Sequence, residues 1–391
     1  MMFSRSPRIG AGLAAAVSLI ALQASPALAF DPTGNEIADT FLSLLDAEDG
    51  TVESYGSVDG SGGNVTISDI VITKDGDEAG KVTIATTTLT DGEIQGDGRL
   101  KLSNLGLQNL ELTADDGGMS LANLTVTGVL LPSPEELQAD TPPVGPGYKT
   151  FEASSIEIRN EEGKVADIAR VASSIDAMDG ELPTAGQFSV TGATIDVKQI
   201  QSEETKSLTD LGYETLTVDL SGSGKWDPET ATLVVPELKI DAKQAASLTV
   251  SLSLGGVTRE VVTQLNDTSR KPEEAMAIVQ NVTIDSAKIR LDDDSLTGRI
   301  LDQEAQKSGV ETPQYVAGLT GTLPMMLGML QNKELETQVT EAVTQFLNAP
   351  GSLELIAAPG APVPLSQIMG TAMFAPQMIP QILSVGITAN Q

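Results

Sequence analysis

"RLKLSNLGLQNLELT", residues 99–113, carries the pattern that decides the fold. Its leucines stand at 100, 102, 105, 107, 110 and 112. Within each pair the spacing is two, as on one face of a strand. Between pairs it is three, which in a regular strand throws the next pair onto the opposite face. A β-bulge, one extra residue in the strand, returns the apolar side chains to one face and sharpens the twist. The same spacing recurs in "VTISDIVI" (65–72) at Val65, Ile67, Ile70 and Ile72, and in "LTVTGVLL" (124–131) at Leu124, Val126, Val129 and Leu131. "FSVTGATIDV" (188–197) holds a variant with Phe188, Val190, Ile195 and Val197. Threonine fills many intervening positions, as suits a half-exposed strand. Asn precedes Leu at Asn104, Asn109 and Asn123, the mark of a pentapeptide solenoid, but that fold needs many uninterrupted units and only three are consecutive. "DGDEAG" (75–80), "TDGEIQGDG" (90–98) and "ADDGG" (114–118) read instead as hairpin turns. Twisted antiparallel sheet is expected from Gly62 to about Lys198.

Outward from this block, "DPTGNEIADTFLSLLDAEDG" (31–50) predicts a short helix with Ile37, Phe41, Leu44 and Leu45 on one face, closed by a turn over Asp46–Gly50. "PSPEELQADTPPVGPGY" (132–148) is rich in Pro and Gly and reads as a surface loop. A second β block spans Leu216 to Val257, with a turn at Trp226-Asp227-Pro228. Leu248, Val250, Leu252 and Leu254 alternate strictly, which predicts one buried and one wet face. "VTIDSAKIRL" (282–291) is one more strand. Helices follow: 292–309, with Asp294 or Ser295 as N-cap and Gly309 after its end; 312–331; and 333–351. "SLELIAAP" (352–359) is a strand, and 364–383 a helix broken by Pro376 and Pro380. The fold class is therefore α+β, mainly β: a long twisted antiparallel sheet with bulged hairpins, a short N-terminal helix and a C-terminal helical cap. The expected divisions are 1–29, a β-rich 30–291 and a helical 292–391 packed on the sheet.

The first thirty residues have the layout of a secretory signal. Arg5 and Arg8 precede an apolar run from Gly10 to Leu22, and Ala27-Leu28-Ala29 is a small-x-small site, so cleavage is expected after Ala29. The run is short of the roughly 20 residues that span a bilayer, and no later stretch reaches that length. No transmembrane segment is thus expected after cleavage. The periplasm is the expected compartment, and an exported chain without cysteine fits a bacterial envelope.

Composition removes whole classes of function. A formal charge of −31 repels nucleic acid, which demands clustered Lys and Arg. No histidine and no cysteine occur, which removes His-dependent triads, zinc and iron–sulfur sites. Aromatic residues make up 3% of the chain, few for a stacking platform. The acidic runs at 75–78 and 292–294 lack the ligand spacing of a calcium loop and read as turn and cap. "SGSGKW" (221–226) lacks the full phosphate-loop pattern and precedes a turn. No catalytic residue, metal site or cofactor is expected. The one distinctive cluster is thioether: Met325, Met326, Met329, Met369, Met373 and Met378, all in the last seventy or so residues. Such side chains adapt to irregular apolar partners, and they are the candidate contacts for an apolar ligand. Their alternative role is plain packing of helices on sheet.

The repeats "VTISDIVITKDG", "LKLSNLGLQNLEL" and "LTVTGVLL" resemble those of AsmA-like and TamB-like envelope proteins. "DDDSLTGRILDQEAQKSGV" and "FLNAPGSLELIAAPGAPVPLSQIMG" resemble C-terminal parts of exported alphaproteobacterial proteins. The resemblance implies an apolar β groove along which phospholipid moves. The larger AsmA-like proteins keep an N-terminal membrane anchor, which this chain is expected to lose. The expected function is that of a soluble periplasmic envelope protein with an apolar β surface or groove and phospholipid as candidate ligand. The alternatives are a protein-binding assembly module of the envelope, using strand addition at a sheet edge, and a hydrolase working with carboxylates alone.

Overall fold

A computed structural model describes residues 30–46, 50–74, 80–133, 136, 147–200, 203–265, 276–328 and 332–391. The expected signal segment 1–29, most of the 47–50 and 75–80 turns, most of the 132–148 loop and Met329 lie outside these residues. The chain forms two compact units. One holds residues up to 183 with 188–209 and 213–215; the other holds 216–391 with 184–187 and 210–212. The fold is mostly β, with antiparallel sheet, a short N-terminal helix and C-terminal helices.

In the first unit α1 (Glu36–Leu45) is started by Asn35, whose side chain accepts from the Ile37 and Ala38 N–H groups. It buries Ile37, Phe41, Leu44 and Leu45, as its periodicity predicts, and also Ala38 and Leu42. The sheet is a meander of β3 (Asn64–Lys74), β4 (Gly80–Thr90), β6 (Leu100–Ala114), β7 (Gly117–Leu131), β8 (Thr150–Asn160) and β9 (Gly163–Asp179). Two short strands, β1 (Thr51–Ser54) and β2 (Val58–Ser61), share the outer edge of β3, and β5 (Glu93–Ile94) lies beside the start of β6. β10 (Leu182–Asp196) pairs with β9. The register lines up apolar rows under α1, among them Ile70–Ile84–Leu110–Leu121–Ile156–Ile168. Leu100, Leu102, Leu105 and Leu110 are buried in this core, and Leu107 and Leu112 pack against it.

The extra residue of the two-three-two spacing takes a paired form. Asp69, Ala85, Asn109, Ala122, Ser155 and Ala169 stand opposite one another across β3, β4, β6, β7, β8 and β9, because the pairs on either side keep a constant offset. Every strand gains its additional residue at the same level, so the faces realign without a slip in register. Asp69, Asn109 and Ser155 take left-handed backbone (φ 50, 50 and 54°), and alanine faces each of them. Asn and Asp enter that region more readily than other non-glycine residues, and a β-branched residue there is an outlier. Asn109→Val is therefore expected to lose about 1–3 kcal/mol, while Asn109→Gly stays close to the parent. Urea melts giving the two variants equal midpoints would contradict the row. A second level repeats the device at Gly128 (φ 60°), where a Cβ would also come within 2.9 Å of Lys149 Cβ. One-sided bulges occur as well, at Val52/Ser54, Ile158/Arg159, Ser223/Lys225, Val235/Leu238 and Ser253/Leu254.

The second unit is built on β11 (Thr215–Asp227), β12 (Thr232–Ala242), β13 (Ala246–Gly255), β14 (Thr283–Asp293), β15 (Ser352–Ala357) and β17 (Val385–Ala389), each antiparallel to the next. β16 (Val363–Pro364) pairs with the start of β14. Short helices α2 (Glu203–Asp210) and α3 (Arg259–Leu265), like β1, β2, β16 and β17, add to what the sequence pattern predicts. The C-terminal helices are α4 (Leu296–Ser308), α5 (Thr312–Leu327), α6 (Lys333–Asn348), α7 (Leu365–Phe374) and α8 (Ile379–Ile382). The break falls at Pro376 as expected, with a 3-10 turn over Pro376–Met378, whereas Pro380 does not break a helix but stands in the first turn of α8, where its missing N–H costs no bond. Gly309 ends α4 in left-handed backbone (φ 69°). Ser295 stands at the N-cap of α4 as expected, but the capping bond comes from another residue. Ser295 makes no side-chain cap bond, and the Thr297 N–H donates to Asp293 Oδ1 at 2.8 Å. Asp293 closes β14, so the capping carboxylate comes one or two residues earlier than pattern alone places it. Among the described residues no helix is long and apolar enough to cross a membrane.

Candidate functional site

The strands of the second unit alternate between an aliphatic face and a charged face. Cross-strand partners share a face, which fixes the aliphatic rows. They are Leu220–Ile240–Leu248–Leu291–Leu353–Ala389, Leu238–Val250–Ile289–Leu355–Ile387, Leu252–Ala287–Ala357–Val385, and Trp226–Leu233–Leu254–Ile284–Val363. α6 covers one end: Phe346 and Ala342 pack with Leu347 onto Leu291, Leu353, Ile387 and Ala389. At the opposite end Trp226 is buried and its indole N–H donates to the Val257 carbonyl at 2.7 Å. The centre is open. Ile240 (43%), Leu248 (36%), Ile289 (43%) and Leu355 (38%) are exposed on four neighbouring strands. The strict alternation at 248–254 predicts a buried face here, and the structure corrects that in part: Leu248 is exposed and Val250, Leu252 and Leu254 are half-buried, and among the described residues no helix covers the middle of β12–β15. The first unit is the contrast, with Ile70, Ile84 and Leu110 of its matching face all at 3% or less.

The other face of the same strands carries ion pairs. Lys288 Nζ lies 2.7 Å from Glu354, and Arg290 reaches Asp292 (2.7 Å) and Glu354 (3.4 Å). The Lys288 ammonium, bonded directly to the Glu354 carboxylate, and then Arg290 hold that carboxyl below its ordinary value. Lys243 sits between Asp241 and Asp219, which push it up to about 12. These contacts leave the aliphatic rows without a charged member. Hydroxyls, carboxylates and ammonium groups thus lie on the solvated side, and the open centre offers only hydrocarbon to a ligand.

The residues singled out from sequence lie elsewhere. Met325 (78%) and Met326 (64%) are exposed on α5, which packs on α4 and α6. Met369 and Met373 are exposed on α7, which packs on the 279–281 turn and β16, and Met378 is exposed in the turn after it. Met325, Met326 and Met373 therefore contribute little to packing, while Met369 and Met378 are each more than half covered. Ile240, Leu248, Ile289 and Leu355 are the open apolar positions that sequence reading missed. Their two-residue alternation was visible; their exposure was not. The aspartates at 292–294 act as ion-pair partner and helix cap, and among the described residues no cluster of acidic side chains is placed to hold a metal ion. "SGSGKW" lies inside β11 rather than in a loop before a helix.

A family model described as "Uncharacterized protein" matches residues 239–390. No curated protein matches the chain. The matched segment begins within β12 and takes in all four open aliphatic positions, the C-terminal helices and the methionines.

Proposed function

We propose that this is an exported envelope protein that binds the acyl chains of a lipid on the aliphatic face of its second unit, without catalysing a reaction. The observation that carries the reading is the uncovered centre formed by Ile240, Leu248, Ile289 and Leu355. Large contiguous apolar patches are rare on monomeric surfaces and mark ligand or partner sites. The six strands cross about 24 Å at roughly 4.8 Å per step. One leaflet of bilayer hydrocarbon is about 15 Å deep, so the sheet is wide enough for an acyl chain to lie across it. The expected signal peptide and the likeness to AsmA-like proteins support the same reading.

The test is direct. Native mass spectrometry of protein purified from its own envelope should show phospholipid bound. Ile289→Asp should fold, because the side chain is already exposed, with a stability change on the order of 0.5 kcal/mol. Its affinity for a fluorescent fatty-acid probe should fall at least about tenfold, since a carboxylate is costly to bury beside hydrocarbon. A parent protein that binds no such probe, or an Ile289→Asp variant that binds it equally well, would refute the assignment.

A further inference from the structure

The end of α7 is a second apolar feature, distinct from the sheet face. Met373 is 78% and Phe374 86% exposed, and Met369 and Met378 are exposed on either side of them. A solvated Phe at the tip of a helix is unfavourable unless something receives it. The surrounding sequence is equally unusual. Residues 355–391 contain no Asp, Glu, Lys or Arg, in a chain of which 20% is charged and whose formal charge is −31. The tip therefore projects from the longest stretch of the chain that carries no ionised side chain. Leu365, the first residue of α7, donates its N–H to the Val282 carbonyl at 2.8 Å, and β16 just before it pairs with Ile284 of the aliphatic face. The helix is thus anchored at the edge of the sheet that the acyl-chain reading concerns.

From these features we infer that the α7 tip, Met373 and Phe374 with Met369 and Met378, inserts into the interfacial layer of a lipid bilayer. This deepens the acyl-chain reading by naming the bilayer as the source of the ligand. An uncharged segment enters the headgroup–acyl boundary without desolvating an ion, and an exposed Phe and Met regain there the burial they lack in water. Amphipathic helices that bind anionic membranes instead carry Lys and Arg on their polar face. α7 has neither, and the acidic body of the protein is repelled by a negative surface. The chemistry selects a zwitterionic surface.

The experiment compares the full-length mature protein, Phe374→Asp and Ile289→Asp. Each is tested for sedimentation with phosphatidylcholine vesicles, with the same vesicles doped with phosphatidylglycerol, and for binding of a fluorescent fatty-acid probe in solution. The parent should partition onto phosphatidylcholine, and less onto the doped vesicles at low salt. Phe374→Asp should lose about ten- to a hundredfold in vesicle partitioning, the equivalent of one buried aromatic side chain, with unchanged probe affinity. Ile289→Asp should show the reverse. A parent that ignores vesicles, or Phe374→Asp partitioning like the parent, overturns the inference. A stoichiometric protein partner lost on Phe374→Asp, with no vesicle binding by the parent, also overturns it. If no form binds the probe, the acyl-chain reading of the sheet fails, while the vesicle comparison still decides the role of the tip.

Discussion

Leu105→Ala will lower the stability of the first unit by about 2–5 kcal/mol, the range for a fully buried leucine cut back to a methyl group. Leu105 is 2% exposed in the row Val65–Leu89–Leu105–Val126, with strand neighbours on both sides and α1 packed on the same core. The cavity has little room to collapse, because its cross-strand neighbours Leu89 and Val126 are themselves buried and held by the ladder on both sides. Leu248→Ala, the same chemical change on the second unit's sheet, should cost under about 1 kcal/mol, because much of that side chain already meets solvent. Urea denaturation followed by far-UV circular dichroism separates the two. Equal losses would mean that the face around Leu248 is covered.

Phe346→Ala will destabilise the second unit by about 3–5 kcal/mol. The ring is 5% exposed and joins α6 to Leu291, Leu353 and Ile387 on the sheet. Trp226, the only tryptophan, is buried in this unit's sheet, so its fluorescence reports the transition without labelling. A midpoint unchanged by Phe346→Ala would show that α6 is held by other contacts. The paired control is Phe374→Ala, which removes a ring of the same size at 86% exposure and should leave the midpoint within about 0.5 kcal/mol of the parent. Together the two place the stabilising apolar contacts under α6 and leave the α7 tip free of them.

The spacing of leucines in 99–113 was enough to predict bulged antiparallel sheet, and the helices after Asp293 could be placed to within a few residues from caps, glycines and prolines. These are local signals, set by backbone sterics and by the side-chain period of a strand or helix. The short strand β17, "VGITA", escaped such reading because it is held by pairing with β15, more than thirty residues earlier in the chain. The extra residue in each strand was legible; that neighbouring strands carry it opposite one another was not, since opposition depends on register.

The candidate site shows the same division more sharply. Sequence by itself determined that β13 would put Leu248, Val250, Leu252 and Leu254 on one face and polar residues on the other, because two-residue alternation maps directly onto the two sides of a pleated strand. It determined also that residues 355–391 would be uncharged and rich in methionine. Only the tertiary structure decided that α1 closes over the first unit's core while α6 covers just one end of the second unit's apolar face. Only it decided that Met325, Met326, Met373 and Phe374 face solvent. The physical reason is that hydrophobic pattern states which side chains avoid water, whereas burial depends on whether another element, distant in sequence, arrives to exclude it.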